Sequence, residues 1–176
     1  MSASTVNIDE ITSITERVPV GRYPAKLLSV EAKLSKNTKP MIVAVFEVTE
    51  GPLEGSEITI WYSLFVSVKN GKKYAGGILD LKRTFAAIGT PLPSGFNMPC
   101  STEHTPEDEA LQNADKVRKL FVKNFANKVV DVAVVVDKDR KDQASDQVYT
   151  RAFVAGLKTK TGAAKATTDI LDDLDD

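Results

Sequence analysis

Hydrophobic and polar positions alternate through the first part of the chain, and the period then changes. Val20-Gly21-Arg22-Tyr23-Pro24 opens a strand running to about Leu34, and its mixed alternation predicts a bend or bulge. Met41–Thr49 alternates cleanly, with Ile42, Ala44, Phe46 and Val48 on one face and Glu47 and Thr49 on the other. Gly51-Pro52-Leu53-Glu54-Gly55 reads as a turn, because glycine admits positive φ and proline presets its own. A third strand is predicted from Glu57 to about Val66, and Asn70-Gly71 marks a tight turn. Ile78, Leu81, Phe85 and Ile88 then recur at helical spacing, with Gly89 and Pro91 as the stop. Thr105-Pro106-Glu107-Asp108-Glu109 predicts a second helix, with Thr105 as N-cap, Pro106 at the first helical position and carboxylates at the positive dipole end. Leu111, Ala114, Val117, Phe121 and Phe125 form its apolar stripe. The β-branched Val129–Val136 and the alternating Gln147–Leu157 are the last two strands, separated by the charged loop Asp137–Asp146.

Three strands, a helical segment and two more strands is the order of a five-stranded OB barrel, in which the helix plugs the open end. A β-sandwich needs more strands, and a doubly wound sheet alternates strand and helix throughout. The expected fold is therefore mainly β with helices (β+α), a five-stranded OB-fold barrel with a helical insertion between strands 3 and 4. Residues 1–17 are expected to be a flexible N-terminal arm, 18–158 the OB-fold domain, and 159–176 a disordered linker and acidic tail.

Parity on the third strand puts Ile58, Ile60, Tyr62 and Leu64 toward the core and Glu57, Thr59, Trp61, Ser63 and Phe65 outward. The last strand repeats the inversion: Val148, Ala152 and Val154 suit the core, while Gln147, Tyr149, Arg151 and Phe153 point away. Outward rings on two strands, with an arginine among them, suit single-stranded nucleic acid. Bases stack on the rings, and a guanidinium pairs with phosphate. Lysines 33, 36 and 39 around the first turn, and Lys72 and Lys73 in the stretch 69–73, are candidates for the backbone path, as is Lys138-Asp139-Arg140-Lys141. The competing structural role for these rings is to cover hydrophobic patches under loops or beneath the second helix.

Charge divides the chain unevenly. The formal charge is −1, and the last eight residues, Asp169-Ile170-Leu171-Asp172-Asp173-Leu174-Asp175-Asp176, hold five carboxylates and no base, which leaves +4 on the rest. A mildly basic body joined to an acidic segment fits a polyanion binder that carries its own competitor, with Asp169, Asp172, Asp173, Asp175 and Asp176 in that role. A solubilising end is the plainer alternative.

Other chemistry is thin. The chain has one cysteine, Cys100, and one histidine, His104, which make neither a zinc site nor a nucleophile–base pair. Asp137-x-Asp139-x-x-Asp142 lacks the glycine and glutamate of a calcium loop, and Asn70-Gly71-Lys72-Lys73 lacks most of a P-loop. No enzyme, metal or cofactor is expected. A single cysteine and no apolar run of about 20 residues point to a cytoplasmic protein.

The chain resembles phage-encoded single-stranded-DNA-binding proteins over residues 20–95. The likeness rests on Gly21-x-Tyr23-x-Ala25-Lys26-Leu27, Lys39-Pro40-Met41-Ile42-x-x-x-Phe46-Glu47-Val48, Glu50-Gly51-Pro52-Leu53-Glu54-Gly55, the aromatic third strand and Leu81-Lys82-x-x-x-Ala86. The resemblance implies an OB fold that coats transient single strands during phage replication or recombination in an infected bacterium. It also implies replication or recombination enzymes as partners of the acidic tail, although Leu174-Asp175-Asp176 carries no terminal aromatic of the kind those tails use. The expected function is non-catalytic, sequence-tolerant binding of single-stranded DNA. The alternative is an OB-like protein-interaction adaptor that uses the same aromatic face.

Overall fold

The computed structural model describes residues 18–137 and 150–158. Its longest strand, β1 (Gly21–Leu34), carries two ladders. Residues Gly21–Lys26 pair with β6 (Val129–Val136), and Ala25–Leu34 pair with β2 (Pro40–Val48), both antiparallel. The expected irregularity lies between Leu27 and Ser29, where the register with β2 shifts and Leu28 is turned outward. A bulge bends its strand and raises its twist, so one strand can serve both halves of a curved sheet.

The turn Gly51–Gly55 returns β2 into β3 (Glu57–Ser63), with both glycines at positive φ. On β2, Ile42, Ala44, Phe46 and Val48 are buried, and on β3 so are Ile58, Ile60 and Tyr62. The third strand ends at Ser63, three residues short of the expected Val66. Beyond it a small hairpin forms from β4 (Ser67–Lys69) and β5 (Lys72–Tyr74). Asn70 and Gly71 both sit at positive φ, as a type I′ connection requires.

Two helices occupy the span between β3 and β6. In α1 (Gly76–Ala87), Leu81 and Phe85 face the core, and Gly89 at positive φ follows the end. In α2 (Glu107–Phe125) the buried stripe is Ala110, Ala114, Val117, Phe121 and Phe125. Leu111, expected on that stripe, is exposed, because the core-facing line runs through Ala110, one residue earlier. Thr105 is not the cap either. Pro106 holds that position, and the Thr105 hydroxyl instead accepts from the Thr102 amide within the preceding loop. Glu107, Asp108 and Glu109 do occupy the first turn as expected.

The five main strands form one sheet in the order β3-β2-β1-β6-β7, where β7 is Thr150–Leu157. All four pairings are antiparallel. The sheet is not a closed barrel: among the described residues β3 and β7 are its edges, and no ladder joins them. The expected closure fails there, and α1, which packs on both β3 and β7, spans the opening instead. The second helix packs across β1 and β2.

Aromatic rings fill the space between helices and sheet. Phe121 stacks on Phe125 with centroids 4.3 Å apart, Phe46 meets Phe125 edge-on at 5.6 Å, and Phe85 and Tyr62 reach Phe121 at 6.0 and 5.6 Å. Each ring removes a large apolar surface from water, and such pairs add about 0.5–1.5 kcal/mol beyond the area buried. The arm 1–17, the span 138–149 and the tail 159–176 lie outside the described residues.

Candidate functional site

The opening between the sheet edges is a cleft of about 880 Å³ walled by β3 on one side and β7 on the other. Alternation on β3 buries Ile58, Ile60 and Tyr62 and leaves Trp61 between them 60% exposed. On β7, Val154 is buried while Arg151 and Phe153 are exposed, Phe153 to 42%. The outward parity expected on the two strands holds for Trp61, Arg151 and Phe153, and the topology brings these three to one cleft. These residues are far apart in sequence and meet only because β3 and β7 are the two ends of the same curved sheet.

The floor comes from α1. Thr84 and Tyr62 meet there through a 3.0 Å hydroxyl–hydroxyl hydrogen bond, and burial pushes the Tyr62 phenol up to about 12 despite that bond. Asp80 and Arg83 also face the cleft, 3.6 Å apart as an ion pair. Sequence reasoning missed both, since their role follows only from α1 lying across the opening. A helical wheel of α1 would have shown them off the Leu81–Phe85 line, but nothing in that wheel names what they face. The charged residues lining the cleft are Glu57, Asp80, Asp137, Arg83 and Arg151. The lining is thus of mixed charge rather than a uniformly positive track.

Phe65 is placed elsewhere. It lies beyond the end of β3, bridged to Ser101, half-buried, with the Lys39 ammonium 4.6 Å above its ring. It does not line the cleft, because the chain leaves the strand at Ser63. Lys33 and Lys36 are exposed at the end of β1 and in the following turn, and Lys72 and Lys73 are exposed on the β4–β5 hairpin. Tyr74 and Val68 are exposed on that same hairpin, a pair the parity argument did not single out. Tyr149 and the tail residues Asp169, Asp172, Asp173, Asp175 and Asp176 lie outside the described residues.

Among the described residues, no group of three or more His, Cys, Asp or Glu is arranged to hold a metal. Cys100 is half-buried and its carbonyl accepts from Asn113, while His104 is exposed beside Glu103. No described helix is long and apolar enough to cross a membrane.

The profile of a family described as Protein of unknown function (DUF669) matches residues 4–102. The chain belongs to the DUF669 family. The matched span contains Trp61, Phe65 and the lysines of the first turn and of the hairpin, whereas Arg151 and Phe153 lie beyond it. Neither a curated protein nor a solved structure matches the chain.

Proposed function

We propose that this DUF669 protein binds single-stranded DNA without catalysis and with little sequence preference, in the replication, recombination or repair of phage DNA in a bacterial cytoplasm. The observation that carries the reading is the cleft, where exposed Trp61 and Phe153 face solvent from strands whose other faces are core, with Arg151 beside them. Exposed rings on two adjacent walls give bases flat surfaces on which to stack, at about 1–3 kcal/mol each. Arg151 then pairs with phosphate or stacks as well. The order β3-β2-β1-β6-β7, with helices between β3 and β6, supports an OB fold left partly open, a fold that uses such faces for oligonucleotides. Lys33, Lys36, Lys39, Lys72 and Lys73 supply positive charge for the backbone outside the cleft.

The test is titration of the full chain with oligo-dT, read by fluorescence of Trp61, the single tryptophan. A saturable change with oligonucleotide supports the reading. No change at micromolar oligonucleotide and low salt overturns it.

A second reading has its own support. Among the described residues β3 and β7 are edge strands, and the cleft between them carries Glu57, Asp80 and Asp137 against two arginines. An extended polypeptide could add to either edge through main-chain hydrogen bonds, as in an OB-like interaction adaptor. Such a partner would compete poorly with oligo-dT for Trp61, so the same titration separates the two.

A further inference from the structure

A second concavity, of about 480 Å³, lies between the bulge of β1 and the last turn of α2. Phe125 forms part of its buried floor. Around it stand three large aliphatic side chains that the fold leaves in water: Leu28 at 47% exposure, Val122 at 40% and Val129 at 38%. Leu28 is outside because the bulge turns it there, and Val122 and Val129 flank the end of the helix. Among the described residues, the charged ones lining the groove are Lys26 and Lys128, with no carboxylate among them. Lys26 also lies 3.5 Å from Glu47, whereas Lys128 has no ion pair among the described residues. An apolar groove with a positive rim calls for a ligand that is both aliphatic and acidic.

The chain carries such a segment and passes the groove on the way to it. The Lys158 amide donates to the Val129 carbonyl at 2.9 Å, so the described part of β7 finishes against a residue of the groove wall. Residues 159–176 continue from that point, and Asp169–Asp176 sets Ile170, Leu171 and Leu174 among five carboxylates. A coil of the ten residues between Lys158 and Asp169 reaches about 16–19 Å. A tether of that kind presents its cargo at an effective concentration on the order of millimolar, so a contact of about millimolar affinity is substantially occupied.

We infer that Ile170, Leu171 and Leu174 dock in cis onto Leu28, Val122 and Val129, with the neighbouring carboxylates facing Lys128 and Lys26. This places the acidic segment away from the β3–β7 cleft. Glu57, Asp80 and Asp137 line that cleft beside two arginines, whereas no carboxylate among the described residues lines the groove. The docking does not rest on nucleic-acid binding.

The experiment is methyl NMR on the full chain labelled at Leu and Val. It compares the natural sequence with the triple variant Ile170→Ser, Leu171→Ser, Leu174→Ser, which leaves every described residue intact. The methyl signals of Leu28, Val122 and Val129 should move in the triple variant, while those of Val68 on the hairpin stay in place. The reciprocal change Leu28→Glu should shift the Leu174 methyls toward free-chain positions. Both effects should be independent of protein concentration and shrink as salt is raised. Unmoved groove methyls in the triple variant overturn the inference. Shifts that grow with protein concentration also overturn it, because the segment would then come from a second copy. Loss of oligo-dT binding has no bearing on either result, so the two proposals fail separately.

Discussion

The Tyr62 hydroxyl lies 3.0 Å from the Thr84 hydroxyl, tying the floor of β3 to α1 directly beneath the cleft. Both side chains are buried, so each satisfies a group that would otherwise be stranded. Their neighbour Trp61 points the opposite way into solvent, and the bond thereby fixes the strand from which it projects.

Tyr62→Phe should cost about 1–2 kcal/mol at pH 8, chiefly by leaving the Thr84 hydroxyl unpartnered. A pH signature identifies the cause. Burial pushes the phenol from its ordinary 10.0 up to about 12, so the neutral form is favoured in the fold. That stabilisation is complete below pH 10 and is lost as pH rises through 12, a decline of about 2–3 kcal/mol. Urea midpoints at pH 8 and 11.5 should fall more steeply for the natural protein than for Tyr62→Phe. Parallel declines would show that the phenol ionises as freely in the fold as in the unfolded chain.

The rings of the cleft give the second prediction. Trp61→Ala and Phe153→Ala should each weaken oligo-dT binding by about 1–3 kcal/mol, with thermal midpoints close to the natural protein, since both residues are exposed. Phe65→Ala should weaken binding less, because that ring lies outside the cleft under Lys39. Fluorescence anisotropy of a labelled oligonucleotide gives the ranking, and a larger effect from Phe65 than from Trp61 would relocate the site.

Binding should also depend on salt. Contacts from lysines and arginines to about four to six phosphates predict a slope of log K against log salt near −3 to −4. Lys72→Ala and Lys73→Ala together should make it shallower by about 1.4 if both ammonium groups meet phosphates. A slope unchanged by the pair would take the hairpin off the DNA path.

Removing Asp169–Asp176 changes the formal charge from −1 to +4. Docked away from the cleft, the segment opposes DNA by through-solvent repulsion of phosphate. Oligo-dT affinity should then rise about 3–30-fold at low salt on its removal, and the gain should fade as screening increases. Equal affinities of the truncated and full chains at low salt would mean that these carboxylates do not oppose DNA at all.

A pair of glycines tests how α1 is seated. A Cβ at Gly77 would run into the Ser63 backbone carbonyl, whereas one at Gly76 meets nothing within 4 Å. Gly77→Ala should therefore destabilise by at least about 1–3 kcal/mol, as backbone overpacking does. Gly76→Ala should be neutral or stabilising by about 0.5–1 kcal/mol, because alanine suits a helix better. Denaturant melts of the two variants decide it, and equal stabilities would mean that the helix start slides freely on β3.

What the sequence determined by itself was local. Alternation on β2, β3 and β7 sorted core from solvent correctly at Phe46, Tyr62, Trp61 and Phe153, because a strand's two-residue period is a property of its own backbone. The pairs Gly51/Gly55 and Asn70/Gly71 marked turns for a similar reason, since positive φ selects a few residue types wherever it occurs. The order of strands and helices was legible too. Tertiary structure decided whatever depends on how elements meet. It left β3 and β7 unpaired and laid α1 across the opening, which brought Asp80 and Arg83 to the cleft and ended the third strand before Phe65. It turned α2 so that Ala110 is buried and Leu111 exposed, and it used the Thr105 hydroxyl in a loop. A side chain's period can be read from its neighbours along the chain, but the surface it meets is set by residues distant in sequence, and no local pattern carries that.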